Sequence, residues 1–200
     1  MEAENTEQKI LIAARQVFLK KGLAGARMQE IADMAGINKA LLHYYYRSKE
    51  QLFRSSFQDL IKQMLPKVFG VFRTDLPFEE KLRTLTADYL DFLTEYPQLP
   101  VMILSEIQRD PQLLFNELNI PDLVDFQDLQ KQLDEEAEAG RIRPMQVFEL
   151  IPNLLSLLVF PFAAKPIIQN ALKLTDEQFK DFISSRKLTV PDFFMNALKP

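Results

Sequence analysis

Residues 27–46 read RMQEIADMAGINKALLHYYY, and this stretch decides the fold. Apolar residues at helical spacing predict a first short helix whose inner side carries Met28, Ile31, Ala32 and Ala35. Gly36 supplies a turn, and Asn38 is predicted to cap a second helix, because its side chain can accept from free backbone N–H groups. Two short helices joined by a glycine turn form a helix-turn-helix, whose second helix lies in the major groove of DNA.

The second helix is predicted to run from Lys39 to Tyr46 with one face turned outward. Leu42 and Tyr46 lie four residues apart, so they share a face and are expected to pack inward. Lys39, His43 and Tyr44 then remain on the outer face. Lysine and histidine donate to phosphates or base acceptors, and tyrosine reaches phosphates, sugars and thymine methyls. An isolated HYYY string more often packs between helices, but the flanking pattern here favours DNA binding.

Residues on either side of the motif add candidate contacts. Ser48 and Gln51 predict a capping box that opens a further helix at about Lys49. Free N–H groups at a helix start attract anions, so backbone and Lys49 would together hold a phosphate. Arg27 and Gln29, at the entrance of the first helix, are predicted to reach the DNA backbone and a base edge respectively.

The remaining pattern is also helical, and no alternating strand pattern reaches useful length. Further predicted helices cover residues 6–21 (ended by Gly22), 49–72 with a kink at Pro66, 78–96, 99–109, 122–139, 145–160 with Pro144 in the first turn, and a last helix from Thr175, where Gln178 completes a second capping box. The sequence therefore predicts an all-α protein of about nine helices.

Charge divides the chain into two parts. Residues 1–62 hold ten Lys/Arg against seven Asp/Glu, a net charge of +3, and residues 63–200 hold fourteen against twenty-one, a net charge of −7. A basic module attached to an acidic body suits electrostatic docking on phosphate. With the kink expected at Pro66, this predicts a DNA-binding domain over 1–62, with its motif at about 27–46, and a larger helical domain over 63–200.

Composition narrows the functional classes. A chain with 47% hydrophobic and 26% charged residues is typical of globular proteins rather than disordered ones. The absence of cysteine excludes disulfides, thiolate metal sites and a cysteine nucleophile. The start shows no signal-peptide pattern, and the apolar stretch 150–164 is short for a membrane span and holds two prolines. We expect a soluble protein without a membrane partner.

An enzyme is the weaker hypothesis. The single histidine lies in the predicted recognition helix, and glycine patterns of phosphate or dinucleotide loops are absent. The carboxylates of Glu135, Glu136 and Glu138 form a run that is more typical of a solvated helix face than of an acid/base pair. The sequence accordingly predicts no catalytic residue, no cofactor and no metal site.

Residues 10–53 resemble the DNA-binding domain of the tetracycline-repressor (TetR) family of bacterial transcriptional regulators. The resemblance rests on ILIAARQVFLKKG at 10–22, IADMAGINKALLHYYY at 31–46 and SKEQLF at 48–53. It implies three N-terminal helices and the start of a fourth for DNA, then about six helices that bind an effector and form a homodimer. The implied function is that of a cytoplasmic repressor of a near-palindromic operator in double-stranded DNA, released by a small, largely hydrophobic molecule.

The resemblance also assigns positions at the DNA. It implies groove positions for residues 39–41, 43 and 44, phosphate positions for 27, 45 and 49, and a base contact for 29. With the cap residue, the candidate DNA-binding residues are Arg27, Gln29, Asn38, Lys39, Ala40, Leu41, His43, Tyr44, Tyr45 and Lys49. Ala26 and Arg27 stand where the family commonly has a capping Thr or Ser, His43 replaces a tyrosine, and Ala40 with Leu41 replaces Gly-Thr. These departures leave the operator sequence open, and also the alternative of a helical interaction protein that has lost DNA binding.

The larger domain is expected to hold the effector and the dimer interface. The candidate pocket residues are Phe69, Phe72, Tyr89, Phe92, Met102 and Phe126, with Glu106 or Arg109 as polar anchors. The same helical spacing is equally typical of a filled core. Residues 150–162 and the helix from Thr175 are predicted to bury their apolar faces in isologous four-helix packing between two copies.

Overall fold

The computed structural model describes residues 2–109 and 125–200, and within these ranges the chain forms ten α-helices and no strand. The helices are α1 (Glu2–Gly25), α2 (Met28–Ala35), α3 (Lys39–Tyr45), α4 (Lys49–Phe69), α5 (Phe78–Glu95), α6 (Leu99–Arg109), α7 (Phe126–Glu138), α8 (Val147–Ala163), α9 (Lys165–Leu172) and α10 (Asp176–Ala197). A short 3-10 helix, Gly70–Arg73, follows α4. The all-α prediction is confirmed, with one more helix in the described part than expected.

The chain divides into two compact units, Met1–Gln63 and Met64–Pro200. The core of the first unit is made of side chains from α1 to α4, among them Ile10, Ala14, Val17, Phe18, Ile31, Leu42 and Leu52. The second unit is built around α5, which packs along α10 and against α8. Its core includes Leu82, Leu85, Leu90, Leu93, Leu129, Leu133, Leu150, Leu154 and Leu158.

Two helix ends differ from their predictions. Gly22 has a φ of 66° that breaks the helical backbone where the sequence predicts the end, but helical turns continue to Gly25. Pro144 is not in the first turn of α8, because that helix begins only at Val147. The Gln130 side chain of α7 accepts from the Val147 N–H at 2.8 Å and so caps α8 from a neighbouring helix.

Two further differences concern helix starts and bends. Helix α7 begins at Phe126, and the Asp125 side chain caps it by accepting from the N–H groups of Gln127 and Asp128 at 3.1 and 2.9 Å. The predicted start at 122 lies outside the described residues. Helix α9 has no counterpart in the prediction, since the chain bends by 71° after α8 and resumes as a helix with Pro166 in its first turn. The capping box of Thr175 and Gln178 is confirmed.

No single helix in the described ranges is both long and apolar enough to cross a membrane, and α8 reaches that length and composition only together with the bent α9.

A proline inside α8 frees a carbonyl that links α8 to α10. Pro161 has no N–H to donate to the Leu157 carbonyl four residues earlier. The Arg186 Nη2 of α10 donates to that oxygen at 2.5 Å, and the guanidinium stacks over the Phe182 ring at 5.4 Å. Burial lowers the pKa of Arg186 below its ordinary value. A desolvated guanidinium thus replaces the backbone donor that proline removes.

We expect Arg186→Met to lower the free energy of unfolding by about 1–3 kcal/mol, because it leaves the Leu157 carbonyl without a donor. Pro161→Ala supplies a backbone N–H at position 161, so the arginine substitution should cost clearly less in that background. Urea denaturation of the wild type, both single variants and the double variant measures this coupling. Equal losses in the two backgrounds would show that Arg186 acts by packing alone.

Candidate nucleic-acid interface

The turn between α2 and α3 is closed by backbone hydrogen bonds. Gly36 has a φ of 69°, which suits glycine, and its N–H donates to the Asp33 carbonyl at 3.2 Å. The Ile37 N–H donates to the Ala32 carbonyl at 3.0 Å. This pair of bonds is the Schellman arrangement, which ends a helix and reverses the chain. The predicted glycine turn is confirmed and sets the angle at which α3 begins.

Helix α3 is fixed from its start and from its inner face. The Asn38 Oδ1 accepts from the Leu41 N–H at 2.8 Å, as predicted for an N-cap. Leu42 is 0% exposed and Tyr46 is 4% exposed. The Tyr46 hydroxyl donates to the Glu7 carboxylate of α1 at 2.8 Å. Both inward-facing residues of the prediction are therefore buried, and α3 is held with little freedom to rotate.

The opposite face of α3 is open. The exposed residues there are Lys39, Ala40, Leu41, His43 and Tyr44. Tyr44 is 81% exposed, and its ring meets that of half-buried Tyr45 edge-on at 5.7 Å between centroids. The Tyr44 ring therefore lies on the solvent side of α3 and not in the protein core. We call residues 39–41, 43 and 44 the recognition face.

The entrance of α2 has no side-chain cap. Arg27 occupies the N-cap position without a side-chain hydrogen bond to the helix, and its side chain is exposed. The Gln29 Nε2 donates to Asp33 Oδ1 at 2.8 Å, which orients the side chain and leaves its amide oxygen available as an acceptor. Glu30 is paired with Lys21 of α1 at 2.7 Å. The acidic groups on this side of α2 are therefore engaged with neighbouring donors.

The start of α4 differs in part from the predicted capping box. The Ser48 Oγ accepts from the Gln51 N–H at 3.0 Å as predicted, but the Gln51 side chain accepts from the N–H of Arg47 rather than of Ser48. The Lys49 Nζ donates to the carbonyls of Ala24 and Ala26 at 3.3 and 3.2 Å. Two of the three ammonium donors of Lys49 are thus used within the protein.

A small apolar cavity lies in the second unit. Its volume is about 10 Å³, room for about one water molecule, and it is lined by Val68, Phe69, Leu85, Tyr89, Ile151, Leu154, Leu155 and Leu158. Two of the predicted pocket residues, Phe69 and Tyr89, are in this lining. The sequence did not predict the α8 residues of this lining, at 151, 154, 155 and 158. Their spacing indicates an apolar helix face, but it does not indicate which other helix that face packs against.

The other predicted pocket residues lie elsewhere. Phe72 is buried in the core of the second unit, and the Phe92 ring packs against Tyr96 at 5.1 Å. Met102 is half-buried, and Phe126, at the start of α7, is 37% exposed. The side chains of both predicted anchors, Glu106 and Arg109, lie outside the described residues.

Burial raises the pKa of the Tyr89 hydroxyl to about 12, and desolvation is the cause. The unfolded chain therefore loses this proton near pH 10, whereas the folded protein keeps it to about pH 12. Stability should fall as pH rises through that window, because the unfolded state binds fewer protons there. The free energy of unfolding should therefore decrease less between pH 9 and 12 in Tyr89→Phe than in the wild type, by about 2 kcal/mol. Urea denaturation at a series of pH values measures this difference. An unchanged pH profile would contradict the burial of this hydroxyl.

The comparisons with known proteins agree with this geometry. Residues 10–55 match the sequence profile described as "Bacterial regulatory proteins, tetR family". The transcriptional repressor NicS of Pseudomonas putida is 32% identical over 106 residues, 52% of this chain, and the match spans only 50% of NicS. The transcriptional regulator RutR of Escherichia coli K12 is 27% identical over 152 residues, covering 72% of this chain and 68% of RutR.

The fold has solved counterparts along its full length. A TetR-family regulator from Mesorhizobium loti superimposes with a TM-score of 0.69 at 19% identity, covering 100% of both chains. At that identity the likeness concerns the fold. The relatives named here are regulators of transcription rather than enzymes, which agrees with the prediction of a protein without catalytic function.

Proposed function

Since this chain belongs to the TetR family of bacterial transcriptional regulators, we propose that it is a homodimeric repressor that binds a near-palindromic DNA operator and is released by a small, largely hydrophobic effector. The recognition face carries this proposal: α3 is fixed by the Asn38 cap and buried Leu42, and it turns an exposed, basic and aromatic surface outward. A bacterial operator also implies that the protein acts in the cytoplasm.

Each side chain of the recognition face suits a different part of the major groove. The Lys39 ammonium and the His43 imidazole donate to base acceptors or phosphate. Ala40 and Leu41 supply apolar contact to thymine methyl groups, and the Tyr44 ring supplies contact to sugar or methyl groups. Asn38 orients the helix through its cap. Sequence preference is therefore proposed to arise from the recognition face.

Residues beside the recognition face are proposed to hold the DNA backbone. Arg27 is exposed at the N-cap of α2, where free N–H groups add to its attraction for phosphate. The Tyr45 hydroxyl is proposed to reach a phosphate from the end of α3, and the free amide oxygen of Gln29 is proposed to accept from a base edge. The net charge of +3 over residues 1–62 favours this docking.

The surface of α8 and α10 is the proposed dimer interface. The two helices run antiparallel, since Lys165 after α8 pairs with Asp176 at the start of α10, at 2.9 Å. Phe160 of α8 and Leu188 of α10 are 62% and 67% exposed. The neighbouring exposed residues are small: Ser156 on α8, and Ser184 and Ser185 on α10. Large apolar groups beside small ones suit isologous packing of two helix pairs into a four-helix bundle.

The cavity lined by the end of α4, by α5 and by α8 is the proposed effector site. Its walls are apolar except for the Tyr89 hydroxyl, so the ligand would be hydrophobic with at most a few polar atoms. Ligand pockets usually measure a few hundred Å³, which means that the effector must move the helices that line the cavity apart to enter. Such a ligand binds the widened state better than the closed one and therefore shifts the population between them.

DNA binding is tested by fluorescence anisotropy with two duplexes of equal length. One comes from the region upstream of the protein's own gene and the other from inside a coding sequence. We expect the upstream duplex to bind at least about 1,000-fold more tightly at physiological salt, in the range of specific regulators. Equal and weak affinities for both duplexes would favour the alternative, an interaction protein of the same fold that has lost DNA binding.

The effector is tested by a thermal-shift screen of apolar and amphipathic compounds. A ligand at 100 times its dissociation constant should stabilise the protein by about 2.7 kcal/mol. Leu154→Trp fills the cavity with a larger side chain and should abolish the shift. A ligand that stabilises this variant as strongly as the wild type binds elsewhere.

A further inference from the structure

Lys49 lies at an unfavourable place for a cation. It is the first residue of α4, and the positive end of the helix dipole disfavours a positive charge there. Its ammonium instead reaches the far end of another helix, where it donates to the carbonyls of Ala24 and Ala26 at 3.3 and 3.2 Å. The last carbonyls of a helix lack partners within that helix, and a lysine ammonium can satisfy them. Lys49 therefore caps the end of α1 from α4.

The same contact holds the backbone just before the uncapped start of α2. Ala26 is buried at 3% exposure and immediately precedes Arg27, the N-cap residue without a side-chain hydrogen bond to its helix. By holding the Ala26 carbonyl, Lys49 fixes the backbone directly in front of α2. The chain thus enters α2 at an angle set by a lysine of another helix rather than by a local Ser or Thr.

We propose that Lys49 is a positioning residue for DNA binding, which fixes the α1–α2 turn and through it places Arg27 at the DNA backbone. This inference rests on the proposed DNA-binding function. It differs from a direct phosphate contact by Lys49, because the side chain acts here through hydrogen bonds to the protein's own backbone.

Hydrogen exchange of the free protein tests the positioning contact without DNA. We expect Lys49→Met, which keeps the aliphatic stem and removes the donors, to speed amide exchange in residues 22–31 by about tenfold, because the turn opens more readily. Lys39→Met is the matched control and should leave these amides unchanged. Adding Arg27→Thr to Lys49→Met supplies a side-chain N-cap and should restore slow exchange. Unchanged exchange in Lys49→Met would overturn the proposal.

Operator binding then separates positioning from phosphate contact. We expect Lys49→Met alone to weaken binding by about tenfold but to change it by less than about twofold in an Arg27→Gln background, because the two residues act as one unit. A direct phosphate contact would give a different result. The affinity losses of the two substitutions would then add, and Lys49→Met would reduce the slope of log K against log salt by about one. Lys49→Gln is the second variant if the methionine variant folds poorly. Absence of operator binding by the wild type would remove the DNA role but leave the hydrogen-exchange result standing.

Discussion

Replacing Lys39 and His43 together by alanine should weaken operator binding by about 1,000-fold. A good contact to a base is worth about 1–3 kcal/mol, and a homodimer makes each contact twice on a palindromic site. Both side chains are exposed on the recognition face, so their removal should leave the fold intact. Binding to random-sequence DNA should fall much less, because that binding depends on the phosphates. Anisotropy titrations with operator and random duplexes at a fixed salt concentration measure the two effects.

The matched control for this variant is Gln16→Ala with Lys20→Ala, two exposed residues of α1 outside the recognition face. It should keep operator affinity within a few-fold of the wild type, as expected for surface substitutions away from an interface. If the recognition-face variant keeps full affinity, another surface carries the DNA. If both variants lose affinity equally, general electrostatic attraction rather than base recognition explains the binding.

Introducing glutamate at Phe160 and Leu188 should convert the protein to a monomer and weaken operator binding by about 100- to 1,000-fold. The two side chains are more than half exposed on adjacent antiparallel helices, and a charge there would be buried without a partner in a symmetric interface. The loss in affinity follows because, in a dimer, binding of one α3 to its half-site raises the effective concentration of the other α3 at the second half-site. A monomer has no such gain. Sedimentation equilibrium and operator titration measure the two consequences.

Leu76→Glu is the control for the interface variant. Leu76 is 41% exposed in the segment between the 3-10 helix and α5, so this variant replaces an exposed apolar side chain by glutamate outside α8 and α10. This variant should remain dimeric and bind the operator normally. A dimeric Phe160→Glu/Leu188→Glu variant would show that the copies associate through a different surface.

Local signals account for the parts of the fold that the sequence predicts well. Gly36 caps the end of α2, and Asn38 caps the start of α3. The preference of each residue for its capping position depends only on its own backbone and on the next few residues. The same holds for the capping box of Thr175, which places the start of α10. Leu42 and Tyr46 are buried as expected because the spacing of four residues determines their shared face.

Contacts between distant residues explain what the sequence could not predict. The start of α8 depends on Gln130, which is seventeen residues away, and the carbonyl freed by Pro161 depends on Arg186. Lys49 is placed by the sequence at a helix start, but its partners at Ala24 and Ala26 depend on how α1 and α4 pack. The cavity likewise depends on tertiary packing, since residues of α4, α5 and α8 line it together.

Selection of bound duplexes from a random-sequence pool by the wild-type protein is the most direct test of DNA recognition by α3. We expect an enriched motif with two inverted half-sites whose centres lie about 10 base pairs, or a multiple of one helical turn, apart. The Lys39→Ala/His43→Ala variant should lose or change the half-site motif. Recovery of no enriched motif by the wild type, at salt concentrations where the protein is folded, would contradict a sequence-reading role for this chain.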